Sequence, residues 1–131
     1  MENFVISSTV ICRREALLAI GGFKQPPNVP YVDFATWLEL SLLGKVRVLN
    51  DGIYGYWRRH ESQCTKKYML EMVSTARDIA ISFLSRLPEE RRKEIGLTTD
   101  KVCKRYRNRI CDIHYYFGRR ALKTATGIRL S

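Results

Sequence analysis

The sequence has no feature typical of a membrane-spanning or secreted protein. Its 131 residues contain no run of about 18 apolar residues, so we expect no membrane-spanning helix. Glu2 and Asn3 follow Met1, and Arg13 and Arg14 interrupt the first apolar stretch, so we expect no secretory signal either. These features predict a cytoplasmic protein, with peripheral attachment to the inner face of the membrane left open.

Cysteine is sparse and scattered. The four cysteines form no Cys-x-x-Cys pair. Cys103, Cys111 and His114 come nearest to a metal-ligand set, but no fourth ligand lies at a suitable spacing. We therefore expect reduced thiols rather than a zinc site or a disulfide framework.

Positive charge is in excess, and it is unevenly distributed. The chain has 23 Lys and Arg against 13 Asp and Glu, a formal net charge of +10. Residues 1–65 contribute +1 and residues 66–131 contribute +9. Such a charge suits nucleic acid, an anionic membrane surface or a phosphorylated small molecule. A hydrophobic fraction of 45% is enough for a core and excludes global disorder.

The first half predicts alternating strands and helices. β-branched residues predict strands over 4–12, 45–49 and 53–57. Short helices are expected over 13–20, ended by two glycines, and from Asp33 to Gly44. A proline-rich loop separates these helices, and the turn Asn50-Asp51-Gly52 separates the last two strands.

The second half predicts a helical hairpin. Apolar residues recur at helical spacing over 66–87 and again over about 99–126, where Gly127 offers a stop. Residues 88–96 are charged and predict a connector. Two helices with apolar faces and a short connection favour antiparallel packing. We therefore divide the chain into 1–65 and a basic helical extension, 66–131.

Three segments of the first half occur in a specific order. They are Ser7-Ser8-Thr9-Val10-Ile11-Cys12-Arg13-Arg14-Glu15-Ala16-Leu17 with the following Ile20-Gly21-Gly22-Phe23, then Val32-Asp33-Phe34-Ala35-Thr36-Trp37-Leu38-Glu39-Leu40, and then Tyr56-Trp57-Arg58-Arg59-His60-Glu61-Ser62. In order and spacing they resemble the acceptor-side, C-terminal half of family 2 glycosyltransferases with the GT-A fold. The resemblance implies an α/β fold for residues 1–65. Val32 stands where that family usually has Glu, and Glu39 stands where Arg is frequent.

The resemblance implies an inverting glycosyltransferase of polysaccharide or cell-envelope biosynthesis. Such an enzyme transfers a sugar from a nucleotide-sugar donor to a saccharide or lipid-linked acceptor, with Mn²⁺ or Mg²⁺ as cofactor. The family's Asp-x-Asp motif, which holds the metal and the diphosphate, does not occur in this sequence. We therefore expect a fragment that is inactive alone, binds no metal by itself and self-associates through the surface that the missing half would cover.

By this resemblance Asp33 is the catalytic base, which removes the proton of the acceptor hydroxyl. A carboxylate also suits an oxocarbenium-like centre, as in glycosidases. The alternative is that Asp33 only caps its helix. Trp37 is a candidate for stacking on a sugar ring, and the alternative is a core role at helical spacing.

The third segment supplies the candidates for the donor diphosphate. Arg58 and Arg59 could neutralise it, because guanidinium groups match phosphate oxygens. His60 is expected near the diphosphate and is a tentative metal ligand through its imidazole. The alternatives are a solvated pair of cations and a surface histidine in a basic loop.

The basic helix over 99–126 leaves three interpretations open. It carries eight Lys and Arg side chains around an apolar stripe with Tyr106, Tyr115, Tyr116 and Phe117. This pattern is typical of a helix on an anionic membrane, but it also suits a solvated face packed on the preceding helix, while nucleic acid is the least favoured partner. A non-enzymatic basic module is accordingly the alternative to the glycosyltransferase.

Overall fold

The computed structural model describes residues 5–26, 33–49, 51–56, 58, 60 and 62–126. The regular elements of these ranges are helical. A 3-10 turn at Ser7–Thr9 precedes α1 (Arg14–Ala19), α2 (Asp33–Leu40), α3 (Cys64–Lys67), α4 (Met69–Arg86), α5 (Glu89–Ile95) and α6 (Thr99–Thr126). None of these helices combines the length and apolar character needed to cross a bilayer.

The α/β prediction is wrong for the described part of the chain, which contains no strand. The segments 5–12, 45–49 and 51–56 instead form the 3-10 turn and irregular chain, and Val46, Val48 and Ile53 are 67%, 65% and 79% exposed. β-branched residues favour extended backbone, but a strand also needs a neighbour for its hydrogen bonds and a face to bury. No described segment provides either. Phe4, Asn50 and Trp57 of these predictions lie outside the described residues.

Helix α1 ends at its two glycines as predicted. The Gly21 N–H donates to Leu18 O and the Gly22 N–H donates to Leu17 O, each at 2.9 Å. This is the hydrogen-bond pattern of a Schellman motif. Gly21 and Gly22 have φ angles of 80° and 86°, in the left-handed region where a Cβ is unfavourable. The motif turns the chain toward α2.

The predicted helical hairpin is present. Arg77 and Ile81 of α4 line one groove with Cys103 of α6, whereas Met69, where α4 begins, lines another with Phe117. The two helices are therefore antiparallel. The apolar stripe predicted for α4 supplies much of the core, which includes Ala80, Phe83, Leu84 and Leu87 of this half and Val102 and Tyr106 of α6.

The charged connector contains a helix that its sequence did not predict. Leu87 precedes Pro88 and has extended backbone, with ψ 142°, so α4 ends there. Helix α5 follows and is stabilised by exposed ion pairs, among them Lys93 with Glu89 at 2.8 Å. It buries no residue, so it has no apolar periodicity to reveal it. The stop predicted at Gly127 lies outside the described residues.

Helix α2 packs on α4 and joins the two halves of the chain. Phe34 and Leu38 belong to the same hydrophobic cluster as Ala80 and Leu84. The core therefore extends across the proposed boundary at residue 65, which itself stays a prediction. This packing holds the amino end of α2, where the candidate site lies.

Candidate functional site around Asp33

Asp33 is the first residue of α2 and is half-buried. The Ser7 hydroxyl donates a hydrogen bond to Asp33 Oδ2 at 2.9 Å. The first turn of a helix stabilises a carboxylate because the backbone N–H groups there point out of the helix and carry partial positive charge. The first and second of the segments singled out in the sequence thus meet at this carboxylate.

The chain just before the third segment passes close to the same 3-10 turn. A Cβ placed on Gly55, next to Tyr56, would lie 3.7 Å from the Thr9 methyl carbon, an ordinary van der Waals distance. Thr9 in turn donates its hydroxyl hydrogen to Ile6 O at 2.8 Å, which holds the turn together. The turn at 7–9 therefore contacts the second segment through Ser7 and lies close to Gly55, the residue before the third segment.

The Gly21-Gly22-Phe23 turn also packs on α2, through contacts with Thr36 and Trp37. The Lys24 N–H donates to Thr36 Oγ1 at 2.9 Å, and Thr36 is fully buried. The Phe23 ring meets the Trp37 indole edge-on, with ring centroids 6.3 Å apart. These contacts orient the half-buried Trp37, which lies four residues after Asp33 and hence on the same side of α2.

The donor-side candidates lie on an irregular segment. Arg58 and His60 are exposed, and Arg59 lies outside the described residues. Gln63 is 8% exposed and donates through Nε2 to Arg58 O at 2.8 Å, while His60 Nδ1 lies 3.0 Å from Ser62 Oγ. Within the described ranges, no hydrogen bond or ion pair joins Arg58 or His60 to Asp33. Their convergence on a diphosphate stays a prediction.

The residues that the structure describes show no cluster of ligands for a divalent metal. They contain no group of three or more His, Cys, Asp or Glu side chains that could hold an ion. His60 would supply a single nitrogen ligand, whereas Mg²⁺ and Mn²⁺ prefer several oxygen ligands. We therefore assign no step of the chemistry to a metal held by this part of the chain.

Three residues make hydrogen bonds that the sequence did not predict: Ser7, Thr36 and Gln63. Ser7 bonds a residue 26 positions later, and Thr36 a residue 12 positions earlier. Periodicity does not indicate contacts over such separations. The one available signal was the membership of Ser7 and Thr36 in the segments that resemble the glycosyltransferase family.

No protein-family model matches the chain, and neither a curated protein nor a solved structure is found to match it. The resemblance to family 2 glycosyltransferases therefore depends on the three sequence segments and on the contact between the first two.

Proposed function

We propose that this chain supplies the acceptor-side region of an inverting glycosyltransferase, with Asp33 as the general base. The observation that carries the proposal is the 2.9 Å hydrogen bond from Ser7 to Asp33. It joins two segments that resemble the family, and Gly55, the residue before the third segment, lies close to Thr9.

In the proposed reaction the acceptor hydroxyl attacks the anomeric carbon of the donor sugar. A new C–O bond forms while the bond to the nucleoside diphosphate breaks, and the diphosphate leaves with the electron pair. The Asp33 carboxylate takes the hydroxyl proton during the attack. The Ser7 hydroxyl, by donating to Oδ2, orients the carboxylate and directs its charge.

Trp37 suits a role in binding the acceptor sugar. It lies one helical turn from Asp33, and its edge-on contact with Phe23 limits its rotation. A sugar ring beside the indole would have a hydroxyl within reach of the carboxylate, because side chains four residues apart are neighbours on a helix. Arg58, exposed on the third segment, and Arg59 would neutralise the leaving diphosphate. Nucleotide sugars would place this reaction in the cytoplasm, with a saccharide or lipid-linked acceptor.

The test uses the longest natural polypeptide that contains this chain. Transfer from nucleotide sugars labelled in the sugar is measured for the natural protein, for Asp33→Asn and for Asp51→Asn. Asp51 is an exposed carboxylate that accepts a hydrogen bond from Tyr54 at 2.7 Å, so it serves as a matched control. We expect Asp33→Asn to lower turnover about 100- to 10,000-fold, the usual contribution of a general base, and to leave donor binding unchanged.

Retained turnover in Asp33→Asn would exclude Asp33 as the base. We also expect the 131-residue chain alone to transfer no sugar, because its sequence has no Asp-x-Asp motif. Transfer by the chain alone would contradict the assignment to the acceptor side.

A further inference from the structure

Helix α6 continues well beyond the helix that it packs on. Phe117 lines a cavity of about 320 Å³ together with Met69, the first residue of α4. Because the two helices are antiparallel, residues 118–126 extend past this level. At a rise of about 1.5 Å per residue, this portion of α6 is roughly 14 Å long. We name residues 114–126 the distal segment.

The distal segment has an apolar face that the core does not use. Tyr115, Gly118, Leu122 and Ala125 recur at intervals of three and four residues, with Ala121 between them, so they share one side of the helix. All five are exposed, and Tyr115 and Leu122 are exposed by 66% and 57%. The buried residues Val102, Tyr106 and Ile113 mark a different side of α6, the one that faces α4.

The adjoining side of the distal segment is basic. Arg119 and Lys123 occupy it together with Tyr116, whereas Arg120, seven residues after Ile113, continues the side that faces α4. Residues 114–126 contain no Asp or Glu. The guanidinium carbon of Arg119 lies 5.7 Å from the centroid of the Tyr115 ring, at the boundary between the two faces. Lys67 of α3 lines the same cavity as Phe117 and adds a further cation at this end of the hairpin.

From this arrangement we propose that the distal segment docks on an anionic membrane surface. The apolar face enters the boundary between headgroups and acyl chains, with Tyr115 at the interface. Arg119 and Lys123 contact the lipid phosphates, and Arg120 adds to the attraction at longer range. An exposed apolar face next to cations is stabilised by the acyl chains of a bilayer and by its anionic headgroups. The phosphates of a nucleic acid would attract only the cations and would leave the apolar face in water.

A second copy of the chain is a poorer occupant of the same face. Pairing two distal segments would bring Arg119, Arg120 and Lys123 of one copy near those of the other, with no acidic side chain in either segment to offset the repulsion. The proposal does not depend on glycosyl transfer. Membrane binding is measured without donor or acceptor, so the failure of either proposal is seen separately.

The experiment measures cosedimentation of the whole chain with vesicles of phosphatidylcholine alone and of phosphatidylcholine mixed with phosphatidylglycerol. The charge variant replaces Arg119, Arg120 and Lys123 by Gln. A control variant replaces Lys104, Arg105 and Arg109 by Gln, which removes the same charge from the other part of α6. A third variant, Tyr115→Gln with Leu122→Gln, keeps every cation. Circular dichroism compares the helix content of all three with that of the natural chain.

We expect the natural chain to bind the anionic vesicles, and to bind them less well as salt is added. Each cation near an anionic surface strengthens binding about 5-fold, so the charge variant should bind about 100-fold more weakly. The control variant should lose less than about 5-fold, because its cations lie away from the distal segment. The apolar variant should lose at least about 10-fold.

Three results would overturn the proposal. One is an equal loss in the charge variant and the control variant, which would indicate attraction by net charge alone. Another is equal binding to both kinds of vesicle. The last is dimer formation that the apolar variant abolishes, with no binding to either vesicle, which would assign the face to a second copy.

Discussion

Arg86 Nη2 lies 2.7 Å from Glu39 Oε1 and joins α2 to the end of α4. The resemblance to family 2 glycosyltransferases would place Glu39 where Arg is frequent. In this chain the carboxylate has a cationic partner on the helical extension. The ion pair accompanies the apolar contacts of Phe34 and Leu38 with α4 and helps set the orientation of α2.

Removing this ion pair should weaken the protein slightly. The Arg86 side chain is 62% exposed and that of Glu39 is 21% exposed, so solvent screens much of the attraction. We expect Glu39→Gln and Arg86→Gln each to lower the free energy of unfolding by about 0.5 kcal/mol, and a double-mutant cycle in urea to give a coupling of similar size. Glu39→Arg should cost more, because it places two cations together, and adding Arg86→Glu should restore the loss. A coupling of zero would show that the pair contributes nothing.

The hydrogen bond from Ser7 should matter for turnover more than for stability. In the natural full-length protein we expect Ser7→Ala to lower kcat about 5-fold, the value of one hydrogen bond, with KM for the donor unchanged. Ser7→Thr keeps the hydroxyl and should recover most of the rate. Ser8→Ala is the matched control, since Ser8 is an exposed serine in the same 3-10 turn. An equal loss in the Ser8 variant would argue against a positioning role for Ser7.

Truncation of Leu84 should destabilise the shared core. Leu84 is 2% exposed and lies in the cluster formed by α2, α4 and α6. We expect Leu84→Ala to lower the free energy of unfolding by about 2–5 kcal/mol, because it removes buried methyl groups and leaves a cavity. Leu18→Ala in α1 is the control, since Leu18 is 57% exposed and should change stability by less than about 0.5 kcal/mol. Chemical denaturation measures both, and similar losses would contradict the core described here.

The same substitution of glycine should have opposite effects at two positions. Gly21 has a φ of 80°, and a Cβ there would also lie 3.3 Å from Lys24 Nζ, so Gly21→Ala should cost about 1–2 kcal/mol. Gly118 lies inside α6 with open space around its Cα, so Gly118→Ala should stabilise by about 0.5–1 kcal/mol. Thermal unfolding followed by circular dichroism separates the two. A stabilising Gly21→Ala would be inconsistent with the Schellman motif.

The two helices of the hairpin could be predicted because their signal is local. An apolar residue at every third or fourth position of α4 is a property of that segment alone, and its burial follows once a partner helix is present. The extended segments failed for the opposite reason. A strand needs a neighbouring strand from elsewhere in the chain. The β-branched residues at 45–49 favour extended backbone but do not indicate whether such a neighbour is present.

The candidate site shows the same division. The motif around Asp33 pointed to a carboxylate at a helix start, and the structure has Asp33 as the first residue of α2. The motif did not reveal Ser7 as the hydrogen-bond partner of Asp33. It also did not reveal the hydrogen bond from the Lys24 N–H to Thr36, which attaches the preceding turn to α2. These contacts follow from the path of the chain through the Gly21-Gly22 turn.

The sequence by itself determined the helical periodicity of α4 and α6, the end of α1 and the placement of nearly all net charge in residues 66–131. Each of these is set by residues close together in the chain. Only the tertiary structure decided that Glu39 pairs with Arg86. It also decided that α6 extends beyond α4 and that the apolar face with Tyr115 and Leu122 is exposed. Such relationships depend on which distant segments pack together, and packing is a property of the whole core.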